Sequence, residues 1–183
     1  MRADGETTLT GAQPPGAPDL DNASAFLAAA GLRLTHVAAD RVEGVIDLDP
    51  AHHTPWGVVH GGVYTAAVES AASVGATTAV ADRGQIAVGT NNNTDFLRSM
   101  TTGTVAVTAA PVQQGRTQQL WDVRITDESG RVVARGTVRL QTSSHDNETE
   151  DAAADTSCVR PAGGTGQDHR RTPDREVTDH GFR

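Results

Sequence analysis

Between Gly61 and Ala81 the chain carries one charged residue, Glu69, among residues that are mostly Ala, Val, Ser, Thr and Gly. A carboxylate is rarely left inside an apolar segment without a partner or a task. It reaches an exposed face, pairs with an arginine such as Arg98 or Arg116, or acts as a base or nucleophile whose pKa burial has raised. Immediately upstream stands His60-Gly61-Gly62. Glycines at a helix start let another group approach the backbone, and the free N–H groups there, with the helix dipole, favour negative charge. An acyl carbonyl becoming a tetrahedral oxyanion is such a charge. Gly61 and Glu69 are eight residues apart, so about 12 Å apart along one helix. One reacting carbonyl cannot sit within hydrogen-bond reach of both. If the two cooperate, Glu69 of one subunit faces Gly61 of another, and the catalytic unit is at least a dimer.

Other chemistries are excluded or weakened by composition. All 15 Lys/Arg positions are arginine, which removes a Schiff-base lysine and a phosphate loop ending in Gly-Lys-Ser/Thr. The single cysteine, Cys158, can form neither an internal disulfide nor a thiolate metal cluster. His52, His53 and His60 suggest a metal, but adjacent histidines in an extended chain point apart, and no nearby Cys or carboxylate completes a set. No metal and no cofactor is expected. No Gly-x-Ser-x-Gly elbow is present, against an α/β-hydrolase triad. The formal net charge of −8 is concentrated in the ends, and a basic nucleic-acid footprint is absent. No basic stretch leads into an apolar run at the N-terminus, so a cytoplasmic protein without a signal peptide is expected. The Gly61–Ala81 segment could nearly span a bilayer by length, but Thr65, Ser70, Ser73, Thr77 and Thr78 dilute it and basic flanks are missing.

The elements that must position Glu69 follow from pattern. Residues 1–21, with Pro14, Pro15, Gly16 and Pro18, read as a flexible leader, and residues 144–183 as a disordered polar tail. Residues 22–143 form the folded domain. Asp21 or Asn22 caps a short helix that runs through Ala30 and stops at Gly31. Leu32–Ala39 and Arg41–Leu48 alternate as strands, and the long apolar helix follows. Four strand-like runs come next: Gln85–Phe96, Gly103–Gln113, Thr117–Thr126 and Val132–Leu140, joined by turns at 114–116 and 127–130. Strands on either side of one central helix argue for an α+β fold, an antiparallel sheet curled around that helix. Asn91 to Thr94 reads as a polar stretch of strand whose alternate residues could line a pocket. Trp56 and Trp121 read as packing residues.

His60-Gly61-Gly62-Val63-Tyr64, with Glu69 and Ser73 further along the helix, resembles the hotdog-fold thioesterases, nearest to the 4-hydroxybenzoyl-CoA and phenylacetate-degradation types. Asp95-Phe96-Leu97-Arg98, Gln114-Gly115-Arg116-Thr117 and the run from Asp127 to Ala134 resemble later segments of the same family, and the match spans about residues 24 to 142. The resemblance implies a hotdog fold, an acyl-CoA substrate, and a homodimer or homotetramer with active sites at the subunit interface. It implies Glu69 as nucleophile or as the base that activates water, and the Gly61 N–H on the thioester oxygen with Gly62 keeping the helix start open. Ser73 would hold the hydrolytic water. Thr54 stands where some relatives carry Gln or Asn near the carbonyl. Arg98, Arg116 and Thr117 match positions that contact the CoA nucleotide or pantetheine arm, where arginine suits phosphate, and His60 braces the loop or touches that arm. The expected reaction is hydrolysis of a small or medium acyl-CoA, with an aryl or arylalkanoyl group favoured. Competing readings are a non-catalytic acyl-CoA-binding module, a hotdog dehydratase or hydratase, and a thioesterase acting on carrier-protein thioesters.

Overall fold

The computed structural model describes residues 17–144; the remainder of the expected leader and the expected tail, from residue 145, lie outside the described residues. Two short helices open the fold, α1 (Leu20–Ala23) and α2 (Ala25–Ala30). The expected single helix capped at Asp21 or Asn22 is thus two, capped by Asp19 and Ser24. Ser24 is extended, and its side chain accepts from Leu27 N, so the chain leaves one helix and restarts another. Gly31 ends α2 as the sequence suggests, at φ +70° with its N–H on Leu27 O and Ala28 O.

Strands β1 (Arg33–Ala38) and β2 (Arg41–Leu48) follow. The long helix α3 spans Gly61–Thr78. After it come β3 (Gln85–Phe96), β4 (Gly103–Gln114), β5 (Gln118–Asp127) and β6 (Val132–Ser144). They form one antiparallel six-stranded sheet in the order β1-β2-β4-β5-β6-β3, and α3 packs across it, touching every strand. The helix stops three residues short of the expected Ala81, where Gly84 at φ +65° turns the chain into β3. The Thr77 hydroxyl accepts from Ala87 N and ties that helix end to the strand. Strand β6 runs past the expected Leu140 because residues 141–144 pair with the start of β3.

The small residues of α3 let it lie close on the sheet. Its inner face (Tyr64, Ala67, Val68, Ala71, Ala72, Ala76) is buried against Ile46, Trp121, Ile125 and Leu140. A methyl at Gly75 would overlap the Trp121 ring, and one at Gly136 of β6 would meet Val68 Cγ1 at 2.7 Å. Trp121, fully buried as expected of a packing residue, donates its indole N–H to Gln119 Oε1 (3.0 Å). Gln119 in turn donates to Ala76 O (2.9 Å), so the buried indole and the buried amide both have partners. In the turn after β5, the Ser129 hydroxyl foremost, with the Arg131 backbone and guanidinium, holds the Asp127 carboxyl well below the usual carboxylate range.

Strand β3 decides what surrounds Glu69. It is paired on one side only, to β6, and residues 88–91 are exposed. Its register slips between Gly89 and Asn91. Such a bulge shifts the side-chain alternation by one: the residues facing α3 are Ala87 and Gly89 before it, and Asn92 and Thr94 after it. Among the described residues no helix is long and apolar enough to cross a membrane.

Candidate active site

The loop before α3 is held on both sides. Thr54 N donates to Val58 O (2.7 Å) and Gly57 N to Thr54 O (3.0 Å), closing a turn with Pro55 and Trp56 at its tip. Val59 N donates to Met100 O (2.8 Å), and His53 Nε2 lies 2.6 Å from Thr101 O, which fixes its proton on that nitrogen. Trp56, expected as a packing residue, is 83% exposed; as the middle residue of a four-residue turn, its side chain has no core to reach.

The three histidines have separate tasks. His52 Nδ1 accepts from Asp49 N (3.2 Å) and lies 3.0 Å from Asp49 Oδ1 in a capping arrangement. The single turn at Pro50–His52 folds His52 back beside the Asp49 carboxylate, but among the described residues no group of three or more His, Cys, Asp or Glu comes together as a metal set. His60 is the N-cap of α3, its Nδ1 accepting from Gly62 N at 2.8 Å. With Nδ1 as acceptor, the neutral ring carries its proton on Nε2, leaving a donor there. Val63 N donates to His60 O. Among the described residues no acceptor meets the Gly61 N–H, so the helix start offers a free donor at its positive end. The Phe96 ring covers the Gly61 Cα, where an added Cβ would lie 2.8 Å from two ring carbons. Phe96 also leans on Tyr64 (centroids 6.3 Å apart), whose phenol burial pushes up to about 12, beyond use as an acid or base near neutrality.

From this helix start, Gly62, Ala66, Glu69 and Ser73 follow at helical spacing along one face of α3. A cleft of about 330 Å³ opens at the N-terminal end of that face, lined by Phe26 and Ala29 of α2, His53, His60, Val63 and Ala66. Glu69 is half-buried and does not pair with Arg98 or Arg116; its Oε2 accepts from Asn92 Nδ2 at 2.9 Å. The carboxylate lies directly against Gly89, where a methyl would overlap Oε1. Ser73 is half-buried one turn beyond.

The remaining predicted residues separate. Arg98 follows the end of β3, its N–H on Val133 O, at the end of the sheet where Phe96 covers Gly61. Arg116 and Thr117 lie in the β4–β5 turn, their carbonyls accepting from Thr142 Oγ1 and Thr142 N, at the other end of β6. Positions 133 and 142 of one strand are about 30 Å apart, so one chain does not bring Arg98 and Arg116 to the same phosphate. Sequence reasoning missed Gly89 and Phe96 as neighbours of the site, and named Asn92 only as part of a run that could line a pocket. The polar run at 91–94 was the available signal for Asn92, but which asparagine faces the helix depends on the bulge.

The thioesterase superfamily model matches residues 57–134, from the loop before α3 into β6. A Mycobacterium tuberculosis protein named "Putative esterase Rv1847" is 50% identical over 113 residues, 61% of this chain and 81% of its own length. The chain belongs to the thioesterase superfamily. This thioesterase is a thioester hydrolase with the hotdog fold. The solved structure of the same mycobacterial protein superposes with a TM-score of 0.63 at 48% identity, covering 65% of this chain and 96% of that one. A Listeria monocytogenes protein named 1,4-dihydroxy-2-naphthoyl-CoA hydrolase is 31% identical over 109 residues, 57% of this thioesterase and 88% of its own length.

Proposed function

We propose that this thioesterase hydrolyses small or medium acyl-CoA esters, aryl or arylalkanoyl groups foremost, to the free acid and CoA, at sites shared between two subunits. The observation that carries this reading is the placement of Glu69. It is the one charged residue of α3, it is held by an uncharged amide, and it lies beside the free edge of the sheet. A neutral donor orients the carboxylate without setting the full opposite charge of an arginine against it.

The geometry within one chain leaves Glu69 about 12 Å from the Gly61 amide. Strand β3 is twelve residues long, exposed along its free edge, and carries exposed Val88 and Phe96; a strand of that kind invites pairing with another. Two copies joined antiparallel along β3 about its middle would bring the Gly89 half, against Glu69, alongside the Phe96 half of the second copy, which covers Gly61. The same relation would bring the Arg116 end of one chain towards the Arg98 end of the other, so both could serve one CoA. In this arrangement the Gly61 N–H receives the developing oxyanion, and His60 and Thr54 flank the carbonyl. Ser73 steadies the water that Glu69 activates, or that later frees an acyl-Glu69 intermediate. The cleft at Phe26, Val63 and Ala66 takes the acyl group; its size and apolar walls suit one or two rings, in line with the naphthoyl-CoA named for the Listeria relative. A single cysteine, which requires no internal disulfide, suits the reducing cytoplasmic setting of this proposal.

Release of free CoA thiol from acetyl-, hexanoyl-, benzoyl-, 4-hydroxybenzoyl- and phenylacetyl-CoA tests the substrate class. The expected order has at least one aromatic ester exceeding acetyl-CoA by about tenfold or more in kcat/KM, the scale of about 1.4 kcal/mol of extra apolar contact. Binding of these esters without thiol release from any would overturn the acyl-CoA assignment.

A further inference from the structure

The polar group facing Glu69 is not a solitary contact. Asn92 Nδ2 donates to Glu69 Oε2 (2.9 Å) and to Thr65 O (3.3 Å), one turn earlier on α3. On its other side, Asn92 Oδ1 accepts from the Thr94 hydroxyl at 2.6 Å. This chain of bonds fixes the orientation of the amide: turned over, its oxygen would face a carboxylate and a carbonyl, two acceptors with no hydrogen between them. Space for the array is left by two glycines. A Cβ at Gly136 would sit 2.8 Å from Thr94 Oγ1, and one at Gly89 would overlap Glu69 Oε1. With Oε2 bound to Asn92, Oε1 is the oxygen left to take a proton or attack.

Resting on the assignment of Glu69 as the reacting carboxylate, we infer that Asn92 is its positioning residue, oriented in turn by Thr94. Asn92 holds one carboxylate oxygen so that the other is presented in a single direction. A loosely held carboxylate on a long side chain samples many rotamers, and displacement by about 1 Å can cost about 10²-fold in rate.

The test is a double-mutant cycle between Asn92→Ala and Glu69→Gln, with steady-state thiol release on the best acyl-CoA and thermal unfolding of each variant. Asn92→Ala is expected to lower kcat by about 10-fold or more with KM within about twofold, and to change the residual rate of Glu69→Gln by less than about twofold. Equal fractional losses in both backgrounds, or no loss in the first, would overturn the positioning role, since a residue that merely ties β3 to α3 acts whether or not the carboxylate is present. If Asn92→Ala does not fold, Asn92→Asp carries the same cycle: it keeps the shape and the Thr94 bond but sets a second carboxylate against Glu69, so the same coupled loss is expected. A Glu69→Gln variant as active as wild type would instead remove the underlying assignment, whereas a Glu69→Gln loss without an Asn92 effect removes this inference alone.

Discussion

Glu69→Gln is expected to lower kcat on the preferred acyl-CoA by about 10²- to 10³-fold, the scale of losing a positioned acid–base group. Glutamine has nearly the same shape, and its side-chain oxygen can still accept from Asn92 Nδ2, so the packing of α3 on β3 is retained. The lost property is the negative charge, and with it the ability to take a proton from water or to attack carbon. Folding stability should move by no more than about 0.5 kcal/mol, as for other half-exposed polar exchanges. Thiol release and chemical denaturation on the same preparation separate the two effects. A fall of less than about threefold in kcat, below the range of general-base catalysis, would place the chemistry on another residue.

A comparable loss, about 10²-fold or more, is expected for Gly61→Pro, which deletes one backbone donor. The substitution suits its position unusually well. Gly61 is the first residue of α3, where proline is favoured and no intrahelical bond uses the N–H. His60 before it is already extended, at φ −69° and ψ 131°, as a residue preceding proline requires. The ring must displace the edge of Phe96, which is 56% exposed. Gly61→Ala is the control, because it meets the same Phe96 ring but keeps the N–H. Alanine retaining most of the turnover while proline loses it assigns the effect to the donor; equal losses assign it to the displaced ring.

The parts of this protein legible in its sequence are those set by local pattern. Element order, the strand Arg41–Leu48, the helix start at Gly61, the stop at Gly31 and the turn at 127–130 follow from periodicity and turn chemistry. Glu69 stood out because an apolar helix has little reason to carry one charge. What depended on tertiary register was not legible. Asn91, Asn92 and Asn93 are identical as residues, and only the bulge after Gly89 makes the middle one face the helix. Alternation without that bulge would have turned Asn91 and Asn93 inward in place of Asn92. Gly89 and Gly136 carry no motif, and their purpose emerges only when Glu69 and Thr94 fill the space a methyl would take. Trp56 misled because a large aromatic usually packs, whereas a tight turn with Pro55 thrusts it outward. Arg98 and Arg116 looked alike as phosphate ligands, yet β6 holds them at opposite ends.

That last separation, like the distance from Gly61 to Glu69, bears on whether the working site is divided between two chains. Co-expression of Glu69→Gln and Gly61→Pro chains under different tags, followed by purification through both, yields mixed dimers that test this directly. In a shared site, each mixed dimer holds one position with an intact Gly61 amide and an intact Glu69, and one position lacking both. Thiol release is then expected to return to about half of the wild-type rate per dimer, although each parent alone is nearly inactive. Mixed dimers as inactive as their parents would place Gly61 and Glu69 in service of the same chain, and would contradict the shared site.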